Sequence, residues 1–312
     1  MVIPVYNKGP HIQRSISSVL NQSYQDFELI IVNDASTDNS LEEIMKFNDS
    51  RIRVLHRDTP GPGGYAARNL GIQEARADWI AFLDADDEWM PRHLQAVQEL
   101  VTADRCKCVA QGWIDVAQGT EQLFQASRYV RSTAHFSFES FLSIGRRGHS
   151  LFHMNSVAVY RTLLLSIGGF PAGTCRRGGD VATWLKVVCE AGGVLMSPEP
   201  GARYFRDDSF VTKTIAPETK LNCVVLGAQR LLNENKLDTR EKRLLKQFSN
   251  AHLRFGLVRR AVEGRLTIKD LRSLYGRANP FQYSFFCLMA ILPDSVQASL
   301  WRWYQALKAL TR

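Results

Sequence analysis

The segment WIAFLDADDEW, residues 79–89, is the part of the sequence that decides the fold. Its first half, Trp79 to Leu83, is a short continuous apolar run, which is typical of a strand covered on both faces of a sheet. Four acidic residues then follow within five positions: Asp84, Asp86, Asp87 and Glu88. Carboxylates this close together repel one another unless a cation or several donors lie among them. The segment predicts a buried strand that delivers a metal-binding aspartate cluster. A solvated turn ahead of a helix beginning near Pro91 is the alternative.

Three other apolar segments precede this one and alternate with helical patterns. We expect strands at residues 2–5, 27–32 and 52–56, separated by amphipathic helices. Four strands and three helices in this order are typical of a doubly wound α/β sheet. Ligands bind such sheets beyond the carboxyl ends of the strands. Asn7, Asp34 and the acidic cluster each follow a strand, so the sequence predicts that they share one edge of the sheet.

The basic character of the chain is confined to its C-terminal third. The net charge is +8, yet residues 220–312 hold 17 Lys and Arg against 6 Asp and Glu, which leaves the first 219 residues at −3. A segment of this kind favours anionic partners such as a phospholipid surface, a lipid-linked phosphate or a nucleic acid. Basic and aromatic residues do not interleave repeatedly along it, which argues against nucleic acid.

The C-terminal third also holds an apolar run at residues 281–292, followed by Trp301, Arg302, Trp303 and Tyr304. About 12 residues are too few to cross a bilayer. Together with the basic charge, the run favours a segment that lies in the plane of a membrane interface. A helical subdomain that packs on the rest of the chain is the alternative.

The six cysteines show no zinc-ribbon or Cys-x-x-Cys spacing. We interpret them as reduced thiols in a cytoplasmic protein. His56 and His93 are expected to be surface or capping groups, and residues 61–64 a flexible loop over the site. His149 and His153, with Arg146 and Arg147, lie in a polar insertion that gates an acceptor or is an ordinary surface loop.

Four blocks of the sequence carry a resemblance to a known family. They are VIPVYN at 2–7, IVNDASTD at 31–38, ARNLG at 67–71 and FLDADD at 82–87. Their order and spacing resemble the signature blocks of family 2 glycosyltransferases, and a weaker likeness continues through residues 168–170 and 179–185. The resemblance implies the GT-A fold, a Rossmann-like mixed sheet with helices on both faces. It places the transferase domain at 1–215 and a helical, basic C-terminal extension at 216–312.

The resemblance also assigns the nucleotide site. Pro4, Tyr6 and Asn7 would line the nucleotide pocket. Asp34 would accept a hydrogen bond from the base, which we expect to be uracil, and Asp38 would lie nearby.

Four other residues match the family's diphosphate, metal and acceptor positions. Arg68 would hold the acidic loop or the diphosphate. Asp84 would hold the ribose side, and Asp86 would bind Mg²⁺ or Mn²⁺. Asp180 matches the general base that deprotonates the acceptor hydroxyl. A metal suits this chemistry because negative charge builds on the phosphate oxygens as the nucleoside diphosphate leaves.

This sequence departs from the family pattern at two positions. Gly179 stands where the family has a glutamate beside the base, and Asp207 lies near the place of a metal-binding histidine. Both departures concern the acceptor side more than the donor side. The Gln-x-x-Arg-Trp element of processive synthases is absent, which favours transfer of a single sugar.

We therefore expect an inverting, metal-dependent enzyme that transfers one sugar from a UDP-sugar to a glycan or lipid-linked acceptor in cell-surface polysaccharide biosynthesis. It would work in the cytoplasm, peripherally on the inner face of the membrane. A catalytically silent nucleotide- or glycan-binding protein of the same fold is one alternative. A nucleotidyltransferase is another, but it would carry a glycine-rich basic stretch after the first strand, where this chain has only Lys8-Gly9-Pro10.

Overall fold

The computed structural model describes residues 1–103, 106–175, 177–208, 222–234, 236–293 and 295–300. Within them the strands are β1 (Val2–Val5), β2 (Leu29–Asp34), β3 (Ile52–Arg57), β4 (Trp79–Ala81), β5 (Glu88–Trp89), β6 (Cys108–Ala117), β7 (Thr120–Leu123), β8 (Ala134–Phe136), β9 (Val157–Tyr160) and β10 (Val194–Phe205). The α-helices are α1 (Ile12–Leu20), α2 (Ser40–Met45), α3 (Tyr65–Glu74), α4 (His93–Ala103), α5 (Phe138–Gly145), α6 (Arg161–Ser166), α7 (Gly179–Glu190), α8 (Cys223–Asn233), α9 (Thr239–Val262) and α10 (Pro280–Ile291).

The strands form a mixed sheet. β1, β2 and β3 are parallel neighbours in that order. A parallel bridge between Val2 and Phe82 joins β1 to the end of β4. Beyond β4 the order is β9, β6, β10 and β5, in which β6 and β10 are parallel and the other pairs antiparallel. The mixed α/β architecture predicted from the sequence is confirmed.

The first strands carry polar residues to one edge of the sheet. All six residues of β2 are buried, which is the pattern of a strand covered on both faces. Ile12, Ile16 and Val19 line the buried side of α1 at helical spacing. Asn7 and Ala35, just beyond β1 and β2, have φ of 51° and 56°. Non-glycine residues rarely adopt this region, so the chain turns sharply out of the sheet where its polar groups emerge.

Two predicted helix starts differ from the structure. The sequence pattern of Ser40 with Glu43 predicts a capping box at the start of α2, but Ser40 is the first helical residue and the Asp38 carboxylate accepts its main-chain N–H at 3.0 Å. Helix α4 begins at His93, after Pro91. His93 is also buried and stacks on Trp89 with ring centroids 4.3 Å apart, so its interpretation as a surface or capping group is wrong.

The C-terminal helices pack on the sheet domain and on one another. Leu245 and Phe248 of α9 belong to the main core, whereas Leu257, Phe286 and Met289 form a second core with the residues around them. The predicted domain boundary at 215/216 and the aromatic residues 301–304 lie outside the described residues. In the part of the chain that the structure describes, no helix is long and apolar enough to cross a membrane.

The cysteine expectation is wrong for one pair. Cys175 and Cys223 form a disulfide with a Cα–Cα distance of 6.0 Å, well within the range that a disulfide spans. They are 48 positions apart in sequence, so local spacing gives no sign of the pairing. Cys106, Cys108, Cys189 and Cys287 are free thiols, as expected.

Candidate active site

A cavity of about 660 Å³ opens at the edge of the sheet where β1, β2 and β4 end. The predicted site residues that line it are Pro4, Tyr6, Asn7, Asp34, Arg68, Asp84, Asp86 and Asp180. Asp38 is not among the lining residues: its carboxylate accepts the N–H groups of Gly9 and Ser40, both at 3.0 Å. It therefore supports the turn after β1 from behind. Residues separated by more than 170 positions meet in this one cleft.

The end of β2 builds one side of the cavity. The carboxylate of Asp34 is only 1% exposed and forms an ion pair with Arg57 of the neighbouring strand β3. It also accepts the main-chain N–H of Gly61 at 3.0 Å. These donors hold the carboxylate in one orientation, which suits a hydrogen-bond acceptor that recognises a planar base.

Arg68 of α3 holds the start of the acidic loop. Its guanidinium forms an ion pair with Asp84 and donates to the carbonyl of Gly63 at 2.8 Å. A Cβ added to Gly64, whose φ is +66°, would lie 3.2 Å from this guanidinium and 3.5 Å from Pro4. The residues around the glycine turn after Pro62 are therefore packed closely against the arginine, which links β1, α3 and the acidic loop.

Asp86 is paired with Lys8. The Lys8 ammonium bonds to its carboxylate at 2.5 Å and reaches the carbonyl of Asp208 at 3.3 Å. Burial raises the pKa of the Asp86 carboxyl above its ordinary value, Lys8 opposes this shift, and nearby Asp84 adds to it. The two carboxylates thus repel each other in a partly dry site, and a cation between them would be favoured.

Asp87 does not take part in the cavity, which corrects the expectation that it belongs to the metal-binding cluster. Its two carboxylate oxygens accept the side-chain amide of Asn155 at 2.6 Å and the main-chain N–H of Phe205 at 2.7 Å. Burial raises the pKa of this carboxyl, and Asp86 and Asp84 raise it further. Residues Asp84 to Asp87 form a turn, in which the N–H of Asp87 donates to the carbonyl of Asp84 at 3.1 Å, and the Asp87 carboxylate is directed to Asn155 and Phe205 instead of the cavity.

The acidic residues suit a metal bound together with a diphosphate. The described residues hold no group of three or more His, Cys, Asp or Glu side chains that would bind a metal by themselves. Mg²⁺, however, is commonly held by one or two carboxylates, with phosphate oxygens and water completing its octahedron. Asp86 and Asp84 line the same cavity and provide such a donor set.

Asp180 lies in the first turn of α7, on the far wall of the cavity. The preceding Gly179 is fixed by Tyr65, whose hydroxyl accepts its N–H at 2.9 Å. A Cβ at position 179 would lie 2.6 Å from Cζ of Tyr65 and 2.9 Å from Cγ of Pro171. The missing family glutamate is thus explained by packing, because only glycine fits against the tyrosine.

Asp207, which the sequence places near the family's metal-binding histidine, is not among the residues that line the cavity. The carboxylate of Asp207 accepts the N–H of Gln118 at 2.6 Å. It is Asp208 that lies near the acidic loop, where its carboxylate pairs with Arg14 at 2.8 Å. Arg14 in turn donates to the carbonyl of Asp86.

Sequence reasoning did not assign several residues that line the cavity. They are Lys8, Tyr65, Arg177, Tyr204, His252 and Phe255. His153, in a segment that the sequence predicts either to gate an acceptor or to be an ordinary surface loop, also lines the cavity. Tyr65 and Lys8 sit within or beside the family blocks, so their positions were a usable signal. His252 and Phe255 come from α9, where the sequence gave only a helical, basic pattern.

The family model for glycosyl transferase family 2 matches residues 1–166, more than half of the chain. The chain is a family 2 glycosyltransferase. This confirms the resemblance seen in the four sequence blocks, and with it the enzyme class.

Curated glycosyltransferases from several bacteria match the chain in part. The Escherichia coli enzyme WfgD, named as a UDP-Glc:α-D-GlcNAc-diphosphoundecaprenol β-1,3-glucosyltransferase, is 40% identical over 30% of this chain and 37% of its own. TuaG of Bacillus subtilis, named as a putative teichuronic acid biosynthesis glycosyltransferase, is 26% identical over 60% of this chain and 71% of its own. For four other relatives the match spans only 14 to 47% of their length.

Solved structures of glycosyltransferases share the fold over nearly the whole chain. Staphylococcus aureus TarS 1–349 in complex with UDP-GlcNAc has a TM-score of 0.76 at 17% identity, covering 96% of this chain and 90% of that one. A Pyrobaculum calidifontis mannosyltransferase with GDP-Man and Mn²⁺ has a TM-score of 0.57 at 17% identity, covering 96% and 85%. At these identities the likeness concerns the fold, which is that of the GT-A glycosyltransferases.

Proposed function

We propose that this family 2 glycosyltransferase transfers a single sugar from a UDP-sugar, with a divalent metal and inversion, to a glycan or lipid-linked acceptor in cell-surface polysaccharide biosynthesis. The observation that carries the proposal is that Asp34, Asp86 and Asp180 line one cavity although they come from separate parts of the chain. They would correspond to recognition of the base, the diphosphate and the acceptor hydroxyl.

The groups that would bind the sugar-nucleotide donor lie near the ends of β1 and β2 and on α3. Asp34 would accept the N3–H of uracil, since Arg57 and Gly61 hold its carboxylate in place. Arg68 would reach the diphosphate from its position against Asp84. Asp86 would hold Mg²⁺ or Mn²⁺, which neutralises the charge that develops on the leaving diphosphate.

The acceptor end centres on Asp180. Its carboxylate would take the proton of the acceptor hydroxyl, which then attacks the anomeric carbon opposite the leaving diphosphate. The bond from that carbon to the diphosphate breaks as the new glycosidic bond forms, so the configuration inverts. Tyr65, through Gly179, would keep the first turn of α7 and hence Asp180 in position.

The names of similar proteins support the finer parts of the proposal. TarS has been crystallised with UDP and with UDP-GlcNAc, which supports a UDP-sugar donor. The mannosyltransferase complex contains Mn²⁺, which supports a metal. WfgD and TuaG bear names that point to a lipid-linked acceptor and to teichuronic acid biosynthesis, respectively.

The test is donor turnover by the purified protein with Mn²⁺ and a panel of UDP- and GDP-sugars. At least one UDP-sugar should raise the melting temperature, because a ligand that binds only the native state stabilises it by mass action. Slow release of UDP should accompany this shift. Asp86→Asn should lower the release about a hundredfold, since metal stabilisation of the leaving group is worth several kcal/mol.

Asp26→Asn is the matched control, because Asp26 is exposed and lies outside the cavity. The proposal fails if no UDP-sugar changes the melting temperature with Mn²⁺, or if Asp86→Asn behaves like the control. A melting shift without any UDP release would instead identify a silent binding protein.

We also propose that the enzyme lies peripherally on an anionic membrane surface through α10. Phe281 is 92% exposed, and Leu288 and Ile291 are largely exposed on the same helix. Residues 220–312 supply the positive charge that anionic lipids attract. The Cys175–Cys223 disulfide weighs against a reducing compartment, because such bonds are rare there.

Sedimentation with phosphatidylglycerol vesicles tests the membrane proposal. Binding should be strong at low salt and weaker at high salt, and Phe281→Ser with Ile291→Ser should abolish it. Met45→Ser with Leu123→Ser removes two exposed apolar side chains elsewhere and should leave binding intact. Equal loss in both double variants would refute a specific role of α10.

A further inference from the structure

A second chamber of about 620 Å³ adjoins the donor cavity. The residues that line both spaces are His153, Met154, Asp180, Val181, His252 and Phe255. The proposed general base therefore stands where the two spaces meet. A molecule in the second chamber would reach Asp180 from the side opposite the nucleotide.

The walls of the chamber are aromatic and come from three helices and one loop. The ring of Phe141 in α5 lies 5.8 Å from that of Phe152 and 5.7 Å from that of Phe248 in α9. Phe152 in turn packs edge-on against Trp184 of α7 at 5.7 Å. Sugar rings and alkyl chains both pack well on aromatic surfaces of this kind.

Positive charge collects at the mouth of the chamber. A Cβ added to Gly148 would lie 3.8 Å from a terminal nitrogen of Arg254, so this side chain reaches from α9 towards the loop after α5. Arg147 directly precedes Gly148 in the chain, and its guanidinium and that of Arg128 lie 5.8 and 5.9 Å from the ring of Tyr129. The ring of His149, which lines the chamber, is 5.8 Å from that of Tyr129.

This charge is not balanced locally. Among the described residues that line the chamber, Asp180 is the one acidic side chain, and it lies at the junction with the donor cavity. Within the described ranges, Arg147 and Arg254 form no salt bridge. Burial lowers the pKa of His149, and the charges of Arg128 and Arg147 lower it further.

We propose that this second chamber is the acceptor subsite and that Arg147 and Arg254 bind a phosphate group of the acceptor, while the aromatic walls hold its sugar ring or alkyl chain. The proposal rests on the proposed glycosyltransfer and specifies its acceptor as phosphate-bearing. Guanidinium groups suit phosphate oxygens because their planar donors bind two oxygens at once.

Two acceptor types share this chemistry. One is a sugar carried on a lipid diphosphate, and the other is a glycan chain with phosphodiester links. In either case the phosphate would sit at the mouth beside Arg254, and the hydroxyl to be glycosylated would lie deeper, against Asp180. The two arginines that would bind the phosphate are not among the residues that line the donor cavity.

Binding to the UDP-loaded protein tests the proposal. Saturating UDP and Mg²⁺ fill the donor cavity, and three probes are then titrated calorimetrically: decyl diphosphate below its micellar concentration, a glycerol phosphate oligomer, and neutral decyl maltoside. We expect at least one phosphate probe to bind about tenfold or more tightly than the maltoside. Tight binding of decyl diphosphate indicates the lipid-linked source, and tight binding of the oligomer indicates the phosphodiester source.

The double variant Arg147→Gln with Arg254→Gln should weaken the phosphate probe at least about tenfold and leave the affinity for UDP unchanged. Lys46→Gln with Arg92→Gln is the matched control, since it removes two exposed charges far from the chamber. Equal probe affinities in the two double variants would overturn the proposal, as would phosphate probes that bind no better than the maltoside. Failure of the proposed function would differ, because UDP itself would not bind.

Discussion

The hydroxyl of Tyr65 accepts the main-chain N–H of Gly179 at 2.9 Å, so the helix that follows the glycine loop is tied to the residue before Asp180. Tyr65 also stacks on Phe170, with ring centroids 6.2 Å apart. Burial raises the pKa of its phenol, and Asp180 raises it further. The tyrosine therefore stays protonated and joins the donor side of the cavity to the acceptor side.

Tyr65→Phe removes this link. The N–H of Gly179 loses a buried partner, which costs about 1–3 kcal/mol, and the first turn of α7 gains freedom. We expect kcat to fall about tenfold while the affinity for UDP stays the same. Steady-state transfer kinetics and UDP calorimetry measure the two effects. Tyr160→Phe, at a tyrosine that packs on Trp79 away from the cavity, is the control. An unchanged kcat would contradict the prediction.

Gly179→Glu restores the family's acidic residue, yet we expect it to lower activity. Its Cβ would lie 2.6 Å from Tyr65 and 2.9 Å from Pro171, so both must move. Overpacking of this kind costs about 1–3 kcal/mol. Urea denaturation should show this loss in the free energy of unfolding. Ala172→Glu adds the same acid at an exposed position of the preceding loop and should be neutral. Higher transfer activity in Gly179→Glu would refute the packing explanation.

The disulfide between Cys175 and Cys223 should be measurable as stability. Closing a loop with a sequence separation of 48 typically contributes about 2–4 kcal/mol, mainly by restricting the unfolded chain. Cys175→Ser with Cys223→Ser should lower the free energy of unfolding by that amount, and Cys287→Ser by much less. Thiol titration of the denatured, unreduced protein should find four thiols. Six reactive thiols would show that the bond does not form.

His93 predicts a pH dependence of stability. Burial lowers its pKa from 6.5 to about 3 in the folded protein. As the pH falls, His93 therefore takes up a proton in the unfolded chain before it does so in the folded protein. The free energy of unfolding should be highest above pH 6.5 and should fall by about 1.4 kcal/mol per pH unit between 6.5 and 3. Chemical denaturation across this range measures the slope. His93→Gln should flatten it, and His56→Gln, at an exposed position, should not. An equal slope in His93→Gln would contradict the assignment.

The sheet and the donor side of the site could be predicted because their signals are local. The apolar run at residues 29–32 leads directly into Asn33 and Asp34, so composition and order alone place the carboxylate at the edge. The position of Asp86 could be predicted in the same way, because it comes shortly after the apolar strand β4. Side-chain direction is not local, which is why Asp87 was grouped with its neighbours although it faces Asn155.

The parts that could not be predicted depend on contacts between distant segments. The sequence around His93 predicts a surface group, but in the folded chain His93 is buried and packs on Trp89. Nothing near Gly179 in sequence identifies Tyr65 as the reason for the glycine. In the same way, His252 reaches the cavity because α9 packs on the sheet domain, and a helical pattern does not indicate where the helix docks.

The contribution of α9 to both spaces has a consequence for how such enzymes diversify. The family match ends at residue 166, whereas His252 and Phe255 form part of the wall where sugar and acceptor would meet. On the proposed function, exchange of the C-terminal helices between relatives would change this shared wall and with it the choice of the hydroxyl that is glycosylated. Conversely, a chain shortened to the matched region would lose Asp180 of α7 and strand β10, which lies between β6 and β5, so the proposed base and part of the sheet itself would be missing.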